Sequence, residues 1–151
     1  MKNLYILFLI PIISLAFNIN ESQAQTGEEL VNICNRIATK DGATYLKDFT
    51  VKLNAAPVGE DAPRDKNSFM LRKNTQYRFS VCSSKDYDGR AIVKVYDSSK
   101  LLASNYVVAT GKIHRSFDIK CQKTGAYHVF VEFEDGKEGL AVIVLSFVEK
   151  F

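Results

Sequence analysis

The fold is decided by the stretch FDIKCQKTGAYHVFVEF, residues 117–133, in which apolar and polar side chains alternate on both sides of a short turn. This alternation is typical of strands with one buried face. The side chains expected to face the core are Phe117, Ile119, Cys121, Tyr127, Val129, Val131 and Phe133. We predict an antiparallel hairpin closed by 123–125, which pairs Gln122 with Ala126 and holds Gly125 in a left-handed conformation.

Similar runs recur through the chain at regular spacing and are separated by turn residues. The predicted strands are 43–53, 68–72, 76–82, 90–96, 101–108, 113–121, 126–133 and 140–148. Short strands at this spacing, together with one helix, predict a mostly β fold. We expect an antiparallel, jelly-roll-like β-sandwich with one short N-terminal α-helix packed on it, and a long charged loop over 54–68.

The helix is predicted within residues 25–42. Thr26 and Glu29 have the spacing of a capping box. Four apolar side chains then recur on one helix face: Leu30, Ile33, Cys34 and Ile37. Residues 140–145 are apolar on both faces, as in a strand that is covered on both sides. We therefore expect the helix to cover the second face of this last strand.

Residues 1–24 have the pattern of a signal peptide. Lys2 is followed by an apolar run over 4–17 and by Ser22-Gln23-Ala24, small residues suited to cleavage. The run is too short for a spanning helix. The sequence predicts an exported protein, periplasmic or outer-membrane-associated, with one sandwich domain over 43–151 and no transmembrane segment in the mature chain.

The charge pattern argues against a nucleic-acid partner. The chain has 20 Lys and Arg against 17 Asp and Glu, a net charge of +3. The basic residues are scattered among acidic ones, whereas a nucleic-acid binder concentrates them in a patch.

Three cysteines are disulfide candidates: Cys34, Cys82 and Cys121. In an oxidising compartment, three cysteines predict one bridge and one leftover thiol. Cys82 and Cys121 each end a predicted strand, so this pair ranks first and Cys34–Cys121 second. The connectivity stays open, because sequence alone does not determine it.

The sequence offers no catalytic residue that we can name, so an enzyme is not expected. The two histidines are His114 and His128. In the predicted hairpin His128 lies opposite Lys120, which places the histidines about 20 Å apart at 3.3 Å per residue. They therefore could not share a metal or a proton.

Acidic residues in predicted turns are the best candidates for metal ligands in this sequence. Asp86, Asp88 and Asp97 are calcium candidates, because calcium prefers oxygen ligands on loops. Acidic residues are equally typical of turns that bind no metal. We expect no cofactor, with calcium as the exception to test.

The aromatic residues fall into two groups. Tyr45, Phe79, Phe117, Tyr127 and Phe133 lie on inward phases and are expected in the core. Candidate interface residues break the phase or lie near loops: Tyr87, Tyr96, Tyr106 and Phe130. Burial is the alternative for each, although exposed aromatic side chains are common interface hot spots.

Three segments carry a family resemblance. A Y-x-F strand lies at 77–81, an L-Y-D-like strand at 92–98 and a G-x-Y strand at 124–129, in that order along the chain. Over about 74–147 the chain resembles the jelly-roll modules of the bacterial pre-peptidase C-terminal type. It also resembles small exported proteins of the Bacteroidota, many of unknown function. The resemblance implies a non-catalytic accessory or binding module.

These observations favour an exported, non-catalytic interaction protein with a protein partner. It could serve as a small periplasmic subunit of an outer-membrane secretion or surface assembly. The alternative is a carbohydrate- or calcium-binding jelly-roll module.

Overall fold

The structure, a computed structural model, describes residues 26–151. The predicted signal peptide lies outside these residues. The described part forms one α-helix, two short 3-10 turns (Lys40–Gly42 and Glu134–Gly136) and ten strands. They are α1 (Gly27–Ala38), β1 (Thr44–Leu53), β2 (Arg64–Leu71), β3 (Thr75–Ser83), β4 (Ala91–Asp97), β5 (Lys100–Ser104), β6 (Tyr106–Val107), β7 (Lys112–Ile113), β8 (Ser116–Cys121), β9 (Gly125–Phe133) and β10 (Gly139–Lys150).

Eight of the strands form two four-stranded antiparallel sheets. Sheet one has the order β1-β10-β3-β8 and sheet two the order β2-β9-β4-β5, while β6 and β7 form a separate hairpin. β1 pairs with β10, β2 with β9, β3 with β8 and β4 with β5, as in an antiparallel ribbon folded into a jelly roll. The predicted β-sandwich with one short helix is confirmed.

The predicted hairpin over 117–133 is wrong. β8 pairs with β3 in sheet one, whereas β9 pairs with β2 and β4 in sheet two. The link between β8 and β9 therefore crosses from one sheet to the other, and Gly125 does not have a positive φ. The inward faces were predicted correctly, because alternation shows which side chains are buried. It does not distinguish neighbours within a sheet from partners across the core.

The main core lies between the two sheets. Its fully buried side chains include Phe79, Val93, Val129, Val131 and Ile143. Phe79 stacks on the half-buried Phe117, with ring centroids 5.5 Å apart. Tyr45 was expected here but is 42% exposed. The β1–β10 register shifts between Tyr45 and Lys47, and such a bulge places Tyr45 out of phase with the rest of its strand.

A second, smaller core lies between α1 and sheet one. The Thr26 hydroxyl accepts a hydrogen bond from the Glu29 amide at 3.2 Å, so the predicted N-terminal cap forms. Leu30, Cys34 and Ala38 then pack against Cys82, Val142 and Val144. The helix therefore covers the second face of β10, as its two-sided apolar pattern predicted.

Two predicted boundaries are corrected. The charged loop ends at Pro63 rather than at residue 68, because β2 begins at Arg64 and pairs with β9. Its backbone is anchored where the Ala56 amide donates to the Gly136 carbonyl at 2.7 Å. The predicted strand 101–108 is interrupted at the buried Asn105, which separates β5 from β6.

Candidate functional site

The outer face of sheet one is covered by a helix, whereas no helix of residues 26–151 covers the outer face of sheet two. α1 packs on sheet one, whereas the outward side chains of β2 and β9 in sheet two are exposed or half-buried. We call this second surface the open face. It is formed by Arg64, Lys66, Ser68, Met70, Lys94, Tyr96, Ala126, His128, Phe130 and Glu132.

An aromatic pair occupies the centre of the open face. Phe130 lies in β9 and Tyr96 in the neighbouring β4, with their rings edge to face and their centroids 5.5 Å apart. The cross-strand register places Lys66 and Lys94 on either side of Phe130. Side chains that face the same way on adjacent strands are close enough to interact, so the register brings these residues together.

Two cations lie over the Phe130 ring. The Arg64 guanidinium carbon is 5.3 Å and the Lys66 Nζ 5.6 Å from the ring centroid. Within this range a cation is attracted to the electron-rich face of an aromatic ring. The arrangement therefore combines apolar surface with positive charge at one point.

The charges on the open face do not cancel. Lys94 forms an ion pair with Glu132. Among the described residues, no ion pair joins Arg64 or Lys66 to a carboxylate. The centre of the open face is therefore positive, and both cations can bind an acidic group.

A serine–histidine pair on the same face was missed by the sequence analysis. Ser68 Oγ lies 2.8 Å from His128 Nδ1, because β2 and β9 place these residues opposite each other. The predicted hairpin had placed His128 beside Lys120 instead. A nucleophilic serine also needs a third group that orients its base. Within residues 26–151 no carboxylate pairs with His128.

The other candidate interface residues lie elsewhere. Tyr87 is in the link between β3 and β4, half-buried, with Lys52 Nζ 5.5 Å from its ring centroid. Tyr106 is half-buried in β6. Of the four aromatic candidates, the structure brings Tyr96 and Phe130 together and leaves the other two apart.

The three calcium candidates do not meet. Asp86 and Asp88 precede β4, whereas Asp97 ends it, and seven strand residues extend about 20 Å. Across the described part of the chain, no group of three or more His, Cys, Asp or Glu side chains is close enough to hold a metal ion. Calcium binding stays a prediction of the sequence.

The disulfide joins Cys34 to Cys82, with Cα atoms 5.7 Å apart, so neither of the ranked pairings with Cys121 is correct. Cys34 faces sheet one from α1, directly over β3, whereas Cys121 faces the main core. Outward and inward side chains of one sheet cannot be bridged. Cys121 is a buried free thiol 3.3 Å from the Tyr127 hydroxyl. Burial, with that thiol as a second cause, raises the pKa of Tyr127 to about 12.

Comparison with solved structures identifies a similar fold. The crystal structure of PliG from Aeromonas hydrophila, a periplasmic lysozyme inhibitor of g-type lysozyme, aligns with a TM-score of 0.51. The alignment covers 70% of this chain and 88% of that chain, with 9% sequence identity. At this identity the likeness concerns the fold alone. Comparisons with protein-family models and with curated sequences find no match. None of the helices in residues 26–151 is long and apolar enough to cross a membrane.

Proposed function

We propose that this chain is an exported, non-catalytic protein-binding module and that the open face is its contact surface. The observation that carries the proposal is the Phe130 ring, which packs edge to face on Tyr96 and lies beneath Arg64 and Lys66, two cations with no carboxylate partner in the described residues. Tyrosine and arginine are enriched among residues that dominate binding energy, and phenylalanine is enriched in interfaces generally.

Export is supported by two independent features. The disulfide Cys34–Cys82 is typical of proteins in an oxidising compartment, such as periplasmic and secreted proteins. Residues 1–24 have the pattern of a signal peptide. We place the protein in the periplasm, with outer-membrane association and membership of a secretion or surface assembly as the finer proposal. Kinship with the pre-peptidase C-terminal modules remains a proposal based on sequence pattern.

The fold likeness suggests a specific first partner to test. PliG is an inhibitor of g-type lysozyme, and it has a similar fold. Glycoside hydrolases typically use a pair of carboxylates in catalysis. A cationic and aromatic surface complements such a site. Arginine and lysine bind its carboxylates, while an aromatic ring such as that of Phe130 packs on the apolar surface beside them. We therefore propose that the partner presents carboxylates beside apolar surface.

The test compares one open-face variant with an aromatic control at another position. In Phe130→Ala/Arg64→Gln the centre of the open face is removed, whereas in Tyr87→Ala an aromatic ring beneath a different lysine is removed. Binding is measured against a purified g-type lysozyme, with its activity as a second readout, and against envelope proteins identified by mass spectrometry.

We expect a partner that binds the wild type and Tyr87→Ala equally, and the open-face variant at least tenfold more weakly. A partner that binds all three proteins equally would place the contact surface elsewhere. If purified glycans bind saturably and the open-face variant abolishes that binding, the function is carbohydrate recognition instead.

A further inference from the structure

A cleft opens between the two sheets on the side where both have an edge strand. β1 is the edge of sheet one and β2 the edge of sheet two. The cleft between them has a volume of about 570 Å³ and extends to the first residues of β3 and the last residues of β10. This volume lies within the range of small-molecule sites. We call it the edge cleft.

The floor of the edge cleft is apolar. Phe69, Leu71, Tyr77 and Leu145 line it and are buried, so the apolar surface that a ligand could cover is mainly that of Leu46, which is 46% exposed, and of Met70. Met70 stands at the mouth with 71% of its surface exposed. An apolar ligand that entered the cleft would cover this exposed surface and remove its own surface from water.

The rim of the edge cleft is cationic. Lys47, Arg72 and Lys150 line it, and no aspartate or glutamate of the described residues does. None of the three forms an ion pair with a carboxylate in the described residues. The Arg72 backbone amide donates to the Tyr77 hydroxyl at 3.0 Å, which holds the backbone of Arg72 beside the cleft. Lys47 Nζ lies 5.5 Å from the centroid of the Phe69 ring, between the rim and the floor.

We propose that the edge cleft binds a long-chain fatty acid, with the carboxylate at the end where Arg72 and Lys150 lie and the acyl chain along the apolar floor toward Lys47. Charge complementarity selects this ligand class, because three cations without an acidic partner favour an anion. The apolar floor selects an acyl chain over a small, fully hydrated anion. This site is separate from the Phe130 centre of the open face.

The first test is a ligand series on the whole mature protein by isothermal calorimetry, below the micelle concentration of each ligand. Decanoate, dodecanoate and tetradecanoate should bind with affinity that rises up to about fourfold per added methylene. Dodecanol, which lacks the charge, should bind at least tenfold more weakly than dodecanoate. The proposal would be overturned if the affinity did not depend on chain length, or if dodecanol bound as tightly as dodecanoate. It would also be overturned if none of these ligands bound.

The second test locates the site with charge-matched variants. Lys47→Gln/Arg72→Gln/Lys150→Gln removes the cleft cations, and Lys52→Gln/Lys112→Gln/Lys137→Gln removes the same charge elsewhere. We expect the first variant to bind dodecanoate at least tenfold more weakly and the second to bind within twofold of the wild type. Equal weakening by both variants would mean non-specific attraction and would overturn the proposal.

Two more variants test the mouth of the cleft and separate fatty-acid binding from protein binding. Met70→Glu adds a negative charge at an exposed mouth position and should weaken dodecanoate binding without unfolding the protein. Phe130→Ala/Arg64→Gln should leave dodecanoate binding unchanged while it weakens the protein partner. Failure of fatty-acid binding alone would therefore leave the proposed protein-binding function intact.

Discussion

At the scale of single residues, the Asn105 side chain makes the hydrogen bonds that strand pairing would otherwise supply where β5 ends. It is fully buried where β5 ends. Its side-chain oxygen accepts from the Val93 amide at 2.7 Å, and its side-chain nitrogen donates to the carbonyls of Ala91 and His114 at 3.0 and 3.2 Å. One side chain thus satisfies backbone groups of β4 and of the segment between β7 and β8.

Asn105→Ala should lower the free energy of unfolding by about 3 kcal/mol, because it leaves buried backbone groups without partners. Urea denaturation followed by circular dichroism measures the change. Asn54→Ala, at an exposed position after β1, is the control and should change stability by less than about 0.5 kcal/mol. A loss below about 1 kcal/mol for Asn105→Ala would contradict this role.

Asp118 links stability to pH at the surface of sheet one. Arg78 donates to it through two nitrogens at 2.8 and 3.1 Å, and Gln76 donates at 2.9 Å. Partial burial by itself would raise the pKa of Asp118, but these hydrogen bonds outweigh it and hold the pKa below its ordinary value of 3.8. The charged carboxylate therefore stabilises the folded state.

Asp118→Asn should cost about 1 kcal/mol of stability at neutral pH. A lowered folded-state pKa means that this stabilisation is complete above the ordinary pKa and is lost as the pH falls through the folded-state value. The difference between wild type and variant should therefore shrink between about pH 4 and pH 2. Thermal melts across that range measure it, and a pH-independent difference would exclude the linkage.

At the scale of elements, α1 depends on the sheet beneath it. A helix of 12 residues is marginal in water by itself. Its buried side chains pack on β3 and β10, and Cys34–Cys82 joins it covalently to β3. The bridge closes a segment that runs from the second half of α1 through β1 and β2 to β3, so it also restricts the unfolded chain.

Cys34→Ala/Cys82→Ala should lower the free energy of unfolding by about 4 kcal/mol, as the chain-entropy estimate gives for a sequence separation of 48 residues. Urea denaturation measures the loss. Thiol titration of the wild type in denaturant should find one free thiol, and peptide mapping should assign it to Cys121. A free thiol at Cys34 or Cys82 would contradict the pairing.

At the scale of the whole molecule, β10 links β1 and α1 to the rest of sheet one. It lies between β1 and β3, and α1 covers its outward face. Six consecutive residues, 141–146, are buried because the main core lies on one side and the helix on the other. The pairing of β1, the packing of α1 and the formation of both cores therefore all depend on β10, the last strand in the sequence.

Removal of residues 139–151 should leave the chain unfolded, because β1 would lose the one strand with which it pairs in residues 26–151, and α1 about half of the sheet surface on which it packs. Removal of Phe151 alone, a 48% exposed residue, should leave the fold intact. Far-ultraviolet circular dichroism and thermal melting distinguish these outcomes. A cooperative melt of the longer truncation would show that sheet one does not need β10.

The candidate site could be predicted only in part. Tyr96 and Phe130 were recognised because both are aromatic side chains that break the inward phase of their strands. Their meeting with Arg64 and Lys66 could not be predicted, because it depends on which strands pair with β9. The Ser68–His128 pair was missed for the same reason, since β2 was expected to begin only at Ser68 and β9 was paired with the wrong strand.

The sequence by itself determined the strand periodicity, the capped helix, the inward phase of most core residues and the cover over β10. Each of these follows from local spacing, which specifies the face on which a side chain lies. Tertiary structure alone decided the separation of β8 from β9, the Cys34–Cys82 bridge, the exposure of Tyr45 at a bulge and the composition of the open face. These depend on contacts between distant segments, and a period of two is satisfied equally by a neighbouring strand and by a strand across the core.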